Sequence, residues 1–195
     1  MIFCIIGKSA SGKDTLYKNI LEKKDSRLVP VVPYTTRPKR VDEKDGVNYH
    51  FVTRSFLAQL EASGNVIEKR SYNTVRGEWV YFTARFDVKK ELNYILITTP
   101  EGVRKIAEFY GSDSVCTVYM DIDDKTRLLR CIERESQQTS PNYAEVCRRF
   151  VADSEDFSPE IIDSVRNLKR IDAAESEQEC LAQWLKIYDT AGGNR

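Results

Sequence analysis

The segment Gly7-Lys8-Ser9-Ala10-Ser11-Gly12-Lys13 has the spacing G-x-x-x-x-G-K, and the chemistry it suits is phosphate binding. Two glycines allow backbone angles that side chains forbid, so successive N–H groups can curl around an anion. A helix N-terminus just beyond adds partial positive charge, and Lys13 adds a full charge that reaches the β- and γ-phosphates of a nucleotide. The following position usually carries Ser or Thr for a magnesium ion; here it is Asp14, followed by Thr15. Carboxylate and hydroxyl oxygens suit Mg²⁺ directly or through water, so Asp14 and Thr15 are the metal candidates, although Asp14 also places negative charge beside the phosphates.

The elements that must position this loop are legible around it. Residues 1–6, all apolar, read as a fully buried strand, and Leu16, Ile20 and Leu21 fall on one side of a helix that starts after the loop. Residues 94–99 read as a second strand, followed at Pro100 by a helix through Val103, Ile106 and Phe109. Residues 115–120 read as a third, followed by a helix from about Asp123. Repeated strand-then-helix units predict a parallel sheet covered by helices. A late strand within 164–171 precedes a closing helix carrying Cys180, Leu181, Trp184 and Leu185. Residues 31–82, rich in β-branched and aromatic side chains, with a turn at Asp45-Gly46 and a helix over 55–62, predict a small, mostly β insertion. The polar segment 133–142 has the composition of a mobile lid.

The whole chain sets bounds. Its 195 residues, 41% apolar, suit one α/β domain with insertions. Lys plus Arg equals Asp plus Glu at 30 each, which argues against a general nucleic-acid coat or a membrane-surface role. Cys4, Cys116, Cys131, Cys147 and Cys180 are odd in number and widely spaced, with no C-x-x-C pair. They read as reduced thiols, Cys4 and Cys116 in core strands. The apolar start lacks a basic leader and no apolar stretch reaches membrane-spanning length, so the expected location is cytoplasmic. Residues 189–195 read as a loose tail. His50, the lone histidine, is expected to point outward from a strand. Trp79 and Trp184 are expected to pack rather than stack on a base.

A second constellation names a substrate class. Tyr34-Thr35-Thr36-Arg37-Pro38-Lys39-Arg40 precedes Asp45-Gly46-Val47-Asn48-Tyr49-His50-Phe51, and both follow the glycine loop. This order of motifs resembles the guanylate kinase family, with the similarity running through Glu68 and into the polar segment. The resemblance implies an α/β P-loop NTPase three-layer fold with a parallel sheet: a core of residues 1–30 and 91–195, a small mostly β nucleoside-monophosphate-binding insertion at 31–90, and a helical lid at about 133–149. It also implies transfer of the γ-phosphoryl group of ATP to GMP or dGMP, with Mg²⁺, by a monomer or homodimer that binds neither nucleic acid nor membrane.

Residue by residue, the resemblance places Gly7, Ser9, Ala10, Ser11, Gly12, Lys13, Asp14 and Thr15 at ATP, with Asn167 beside the adenine. Arg37, Arg40 and Tyr49 fall where the family holds the GMP phosphate, a role that suits guanidinium forks and a phenol donor. Glu68 falls where a carboxylate reads guanine: its oxygens suit the N1–H and N2 amino donors and repel the N1 acceptor of adenine. Tyr81 and Thr83 fall near the substrate phosphate and guanine O6. Arg130, Arg134 and Arg149 join Lys13 and Arg37 as the groups acting on the transferred phosphoryl; Arg130 and Arg134, four apart, share a helix face.

The chain also departs from the family pattern. Phe82 replaces a Gly, the loop 72–78 is about two residues longer, Pro33 replaces a hydroxyl, and Ile97 and Thr99 stand where an aspartate pair is common, with Glu101 as partial compensation. These departures raise two competing expectations: a kinase for a different (deoxy)nucleoside monophosphate, and a catalytically inactive guanylate-kinase-like binding module. A P-loop GTPase is disfavoured because no N-K-x-D motif is present.

Overall fold

The apolar opening run forms β1 (Ile2–Ile6), whose five side chains are all fully buried, at the centre of a parallel five-stranded sheet. A computed structural model describes residues 1–40, 43–74 and 77–192. The other strands of this sheet are β2 (Leu28–Pro30), β7 (Asn93–Ile97), β8 (Val115–Asp121) and β9 (Leu168–Asp172), in the order β2-β7-β1-β8-β9. Because side chains alternate across a strand, β1 feeds two cores. Phe3 and Ile5 pack with Leu16 and Ile20 of α1 (Lys13–Glu22) and with Trp184 of α7 (Glu177–Ala191). On the opposite face, Ile2, Cys4 and Ile6 pack with Val103 and Ile106 of α3 (Pro100–Tyr110). Helices on both faces of one parallel sheet make three layers, as the sequence predicts.

Four details differ from the sequence reading. Phe109 is 43% exposed rather than part of the buried stripe of α3, since at 3.6 residues per turn it lies about 240° around the helix from Val103. Leu185 turns outward one residue after the fully buried Trp184. Residues 189–191 are the last turn of α7, not tail; 193–195 lie outside the described residues. The polar segment begins inside α4 (Asp124–Ser136), so only 137–142 connect it to α5 (Tyr143–Asp156), which leads to the short α6 (Pro159–Ser164).

The segment between the first helix and β7 builds a second sheet from β3 (Tyr34–Thr35), β4 (His50–Phe51), β5 (Val66–Thr74) and β6 (Gly77–Ala84), in the order β4-β3-β6-β5. Its helix α2 (Arg54–Ala62) is capped by Thr53, whose hydroxyl accepts from the Phe56 N–H at 3.2 Å. The predicted turn is present: Gly46 has φ 72°, its N–H donates to the Tyr49 carbonyl, and the Phe51 N–H donates to the Asp45 carboxylate. Leu57, Val80, Phe82 and Ala84 form a small core here, and Phe82 stacks on Tyr34 with centroids 5.0 Å apart. His50, half-buried, packs on the other side of Tyr34, with ring centroids 4.6 Å apart and planes tilted by 34°. Of the expected longer loop 72–78, residues 72–74 and 77–78 are instead strand, paired between β5 and β6, and Val75 and Arg76 lie outside the described residues. All five cysteines are free, and no helix among the described residues is long and apolar enough to cross a membrane.

Candidate functional site

The glycine loop runs from the C-terminal end of β1 into α1. Gly7 is there because nothing larger fits: a Cβ would meet the Ser11 Oγ at 2.6 Å and the Met120 Cβ at 3.1 Å. Gly12, at φ 87°, is the N-cap of α1, and no side chain caps that end, so the first N–H groups of the helix are left to an external acceptor. The Ser11 hydroxyl is buried without a hydrogen-bond partner among the described residues. Ala10 holds φ 61°, a left-handed conformation that favours glycine. An Ala10→Gly substitution relieves that strain, offset in part by unfolded-chain entropy. A net gain of about 0.5–1 kcal/mol is expected in denaturant titration.

Lys13 sits at the loop mouth, its ammonium 3.9 Å from the Asp14 carboxylate. Burial holds its pKa below the ordinary lysine value; Asp14 and Asp153 oppose that shift, while Arg149 and Arg134 reinforce it. Three of the predicted phosphate groups, Lys13, Arg134 and Arg149, are therefore neighbours. Asp14, 3.9 Å from the Lys13 ammonium, and Thr15 beside it are both exposed, and their carboxylate and hydroxyl oxygens are hard donors of the kind that suit Mg²⁺.

An ion network ties α4 and α5 to this loop. The Ser9 N–H donates to the Asp153 carboxylate at 2.8 Å, and Arg149 donates to the Ser9 hydroxyl at 3.0 Å. Arg127, fully buried, donates to Asp124 at 2.7 Å and to Asp153 at 3.4 Å, and its guanidinium lies 3.7 Å over the Phe150 ring. Lys8 completes the link with a 3.0 Å bond to Asp124, whose carboxyl Arg127, and then Lys8, hold below its usual range. Asp153 escapes a motif reading, but its position four residues after Arg149 on α5 is a usable signal. Arg148 instead pairs with Glu145, exposed on the same helix.

The other half of the site stands on the second sheet. Arg37, only 4% exposed, donates through Nε to the Tyr81 hydroxyl at 3.0 Å, through Nη1 to the Pro38 carbonyl, and through Nη1 and Nη2 to both Glu43 oxygens at 2.7 Å. Four of the five guanidinium N–H groups are thus occupied. The rings of Tyr49, Phe51 and Tyr81 surround the cation at 5.4–5.9 Å. Glu43 also accepts from the Arg40 N–H, and the Arg37 fork, with this backbone bond in support, holds its pKa at about 2. Sequence reading missed Glu43, although an acid three residues after Arg40 is a recognisable cue. The Arg40 side chain is exposed.

Opposite each other across β5 and β6, Glu68 and Thr83 are both buried, and the Thr83 hydroxyl donates to Glu68 at 2.8 Å. Arg70 and Tyr81 form the equivalent pair two residues along. Strand alternation puts Phe82 on the far face, in the small core, so its replacement of Gly leaves these side chains undisturbed. Burial pushes the Tyr49 phenol up, Tyr81 adds to the rise and Arg37 opposes it, and Asp14 adds a smaller rise, so the residue after the glycine loop lies within electrostatic reach of the second sheet. Beside them lies a cavity of about 690 Å³, lined by residues of β5 and α3, with Arg70, Thr99 and Asp156 among the lining side chains.

Two other expectations need correction. Asn167, at φ 50°, precedes β9 at the N-terminal edge of the sheet, where its amide donates to the Ser112 and Val115 carbonyls. The glycine loop leaves β1 at the opposite edge, so Asn167 is remote from it. The end of β9 that lies on the loop's side is Asp172-Ala173, and Arg130 donates to the Ala173 carbonyl at 3.1 Å. Glu101 does not restore acidity to the cleft, because Arg104 engages both of its oxygens; Thr99 is spent on capping α3, accepting from the Gly102 N–H.

The three layers, the strand order and the loop leading into α1 define the P-loop NTPase fold. A solved structure supports this: guanylate kinase from Anaplasma phagocytophilum, 22% identical, superposes with a TM-score of 0.63 over 97% of this chain and 85% of its own. The chain belongs to the guanylate kinase family, whose sequence profile matches residues 2–176. Among curated relatives, guanylate kinase of Clostridium perfringens (strain SM101 / Type A) is 38% identical over 112 residues, 55% of this chain and 50% of that protein. The Schizosaccharomyces pombe guanylate kinase is 41% identical over 64 residues, 33% of this chain and 32% of that protein. The chain spans about half the length of the first curated relatives it matches.

Proposed function

We propose that this protein transfers the γ-phosphoryl group of ATP to GMP or dGMP, giving ADP and the diphosphate. The observation that carries this reading is the pairing on one face of β5 and β6: Glu68 with Thr83, and two residues along, Tyr81 bound to Arg37. A carboxylate acceptor for the guanine N1–H and N2 amino group stands beside donors for a phosphate, with the glycine loop across the cleft. Family membership supports the same assignment.

The acceptor phosphate already carries the nucleophilic oxygen, so the residues have to align two anions, neutralise them and exclude water. The loop amides and Lys13 bind the donor phosphates. Arg134 and Arg149, with Arg130 on the same helix face as Arg134, stabilise charge on the moving group. Arg37, Arg40, Tyr49 and Tyr81 aim the acceptor. Mg²⁺ bound with ATP would be held by Asp14, with Thr15 as the second oxygen, and would neutralise charge between the terminal phosphates. Closure of the 31–90 segment and of the lid at about 133–149 onto the core of 1–30 and 91–195 expels water.

The deciding experiment is a coupled ADP-release assay across the ribo- and deoxyribonucleoside monophosphates. GMP and dGMP should be the fastest acceptors, and AMP should be slower by a factor on the order of 10² or more, because its unprotonated N1 faces the Glu68 carboxylate. Faster turnover of AMP or of a pyrimidine nucleotide would reject the guanine assignment.

A further inference from the structure

The phosphate end of the acceptor site holds fewer free cationic donors than its sequence motif suggests. Arg37 has one N–H left after Glu43, Tyr81 and the Pro38 carbonyl are served. A third arginine stands at the same level. Arg70 lies directly opposite Tyr81 in the β5–β6 pairing and two residues from Glu68, so its side chain shares their face.

Its surroundings are those of a group set to receive an anion. The Nε of Arg70 is buried and has no hydrogen-bond partner among the described residues, and it meets the Glu68 carboxylate side-on at 3.4 Å, too poorly aligned to form a hydrogen bond. The side chain is 31% exposed and lines the 690 Å³ cavity bordered by β5 and α3. Its charge acts on the Glu68 carboxylate 3.4 Å away and also reaches Tyr49, at the phosphate end, and Asp156, at the end of α5. Arg70 therefore spans the space between the base-reading carboxylate and the phosphate-facing phenols.

We infer that Arg70 is a third arginine of the acceptor-phosphate site, supplying the guanidinium fork that Glu43 denies to Arg37. The inference rests on the acceptor-site reading above. Its chemistry is the pairing of a guanidinium with a phosphate dianion, in which two parallel N–H bonds fix the phosphate as well as attract it. The alternative role, neutralising Glu68 for the sake of the base, uses the same residue but predicts a different ligand dependence.

Binding separates the two without relying on turnover. GMP and guanosine, which lacks the phosphate, are titrated into the native protein, Arg70→Met and Arg70→Lys, by calorimetry for the nucleotide and by NMR shifts for the nucleoside. Arg70→Met should bind GMP at least about tenfold more weakly, the loss expected for a charged hydrogen-bonding partner, with guanosine affinity unchanged. Arg70→Lys, which keeps the charge, should recover part of the GMP loss and guards against a merely unfolded Met variant. An equal loss for GMP and guanosine would assign Arg70 to the base, and no loss for either would make it a spectator; both overturn the inference. Native protein that binds guanosine as tightly as GMP would instead remove the acceptor-phosphate site as a whole, a distinct failure.

Discussion

Lys13→Met should lower kcat by a factor on the order of 10²–10³ or more while leaving the folded state intact, because in the proposed reaction the charge it removes acts on the transferred phosphoryl rather than on the fold. The surroundings of Lys13 make the second half of that expectation specific. Burial, with Arg149 and Arg134 nearby, pushes its pKa below 10.5, which means the folded protein holds the charged amine less readily than the unfolded chain does. The sign follows: at neutral pH the protonated amine costs folding free energy, and that cost disappears as pH rises past the ordinary lysine range. Removing the amine should therefore leave the melting temperature unchanged or slightly higher. In the native protein, the proposed activity should fall on the alkaline side earlier than an unperturbed lysine would dictate. A Lys13→Met protein with near-normal kcat in the coupled assay would falsify the donor-site assignment.

Glu43→Ala should be the most destabilising single change at the acceptor end, costing about 3 kcal/mol at pH 7. The substitution strands Arg37, a nearly buried cation, without its fork partner. For a chain of this length that corresponds to a fall in Tm of roughly 6–12 °C. The pH dependence gives an independent check. The folded pKa of Glu43, about 2, lies below its unfolded value of 4.5, so its contribution is complete above the unfolded value and is lost as pH falls through the folded one. The gap in stability between native and Glu43→Ala should be widest at neutral pH, narrow from about pH 4.5 downward and vanish near pH 2. A gap below about 1 kcal/mol at pH 7 would show that the Arg37–Glu43 pair contributes little.

Much of this was readable from residue order alone, for identifiable reasons. A run as short as Ile2-Phe3-Cys4-Ile5-Ile6, closed by a glycine loop, reads as a strand buried on both faces, and G-x-x-x-x-G-K after it has the spacing of a phosphate-binding loop. What escaped reading depends on three-dimensional neighbours. Asn167 fits a local pattern, yet the edge of the sheet it occupies is set by the parallel register of β8 and β9, which no short window contains. Glu43 and Asp153 look like ordinary surface acids in sequence and become central only because Arg37 folds back onto one and the Ser9 N–H meets the other. Arg70 was overlooked in the same way, since its partner in register, Tyr81, is eleven residues distant in the chain.

The alternation of β6 has a consequence for how such a protein can diverge. Tyr81 and Thr83 face the cleft, while Val80, Phe82 and Ala84 face the small core between them and α2. On the proposed assignment, ligand preference and folding stability are thus written on interleaved residues of one strand, each readable without the other. A lineage can exchange Gly for Phe at position 82 to strengthen its scaffold and keep its chemistry, or alter position 83 to change its chemistry and keep its scaffold.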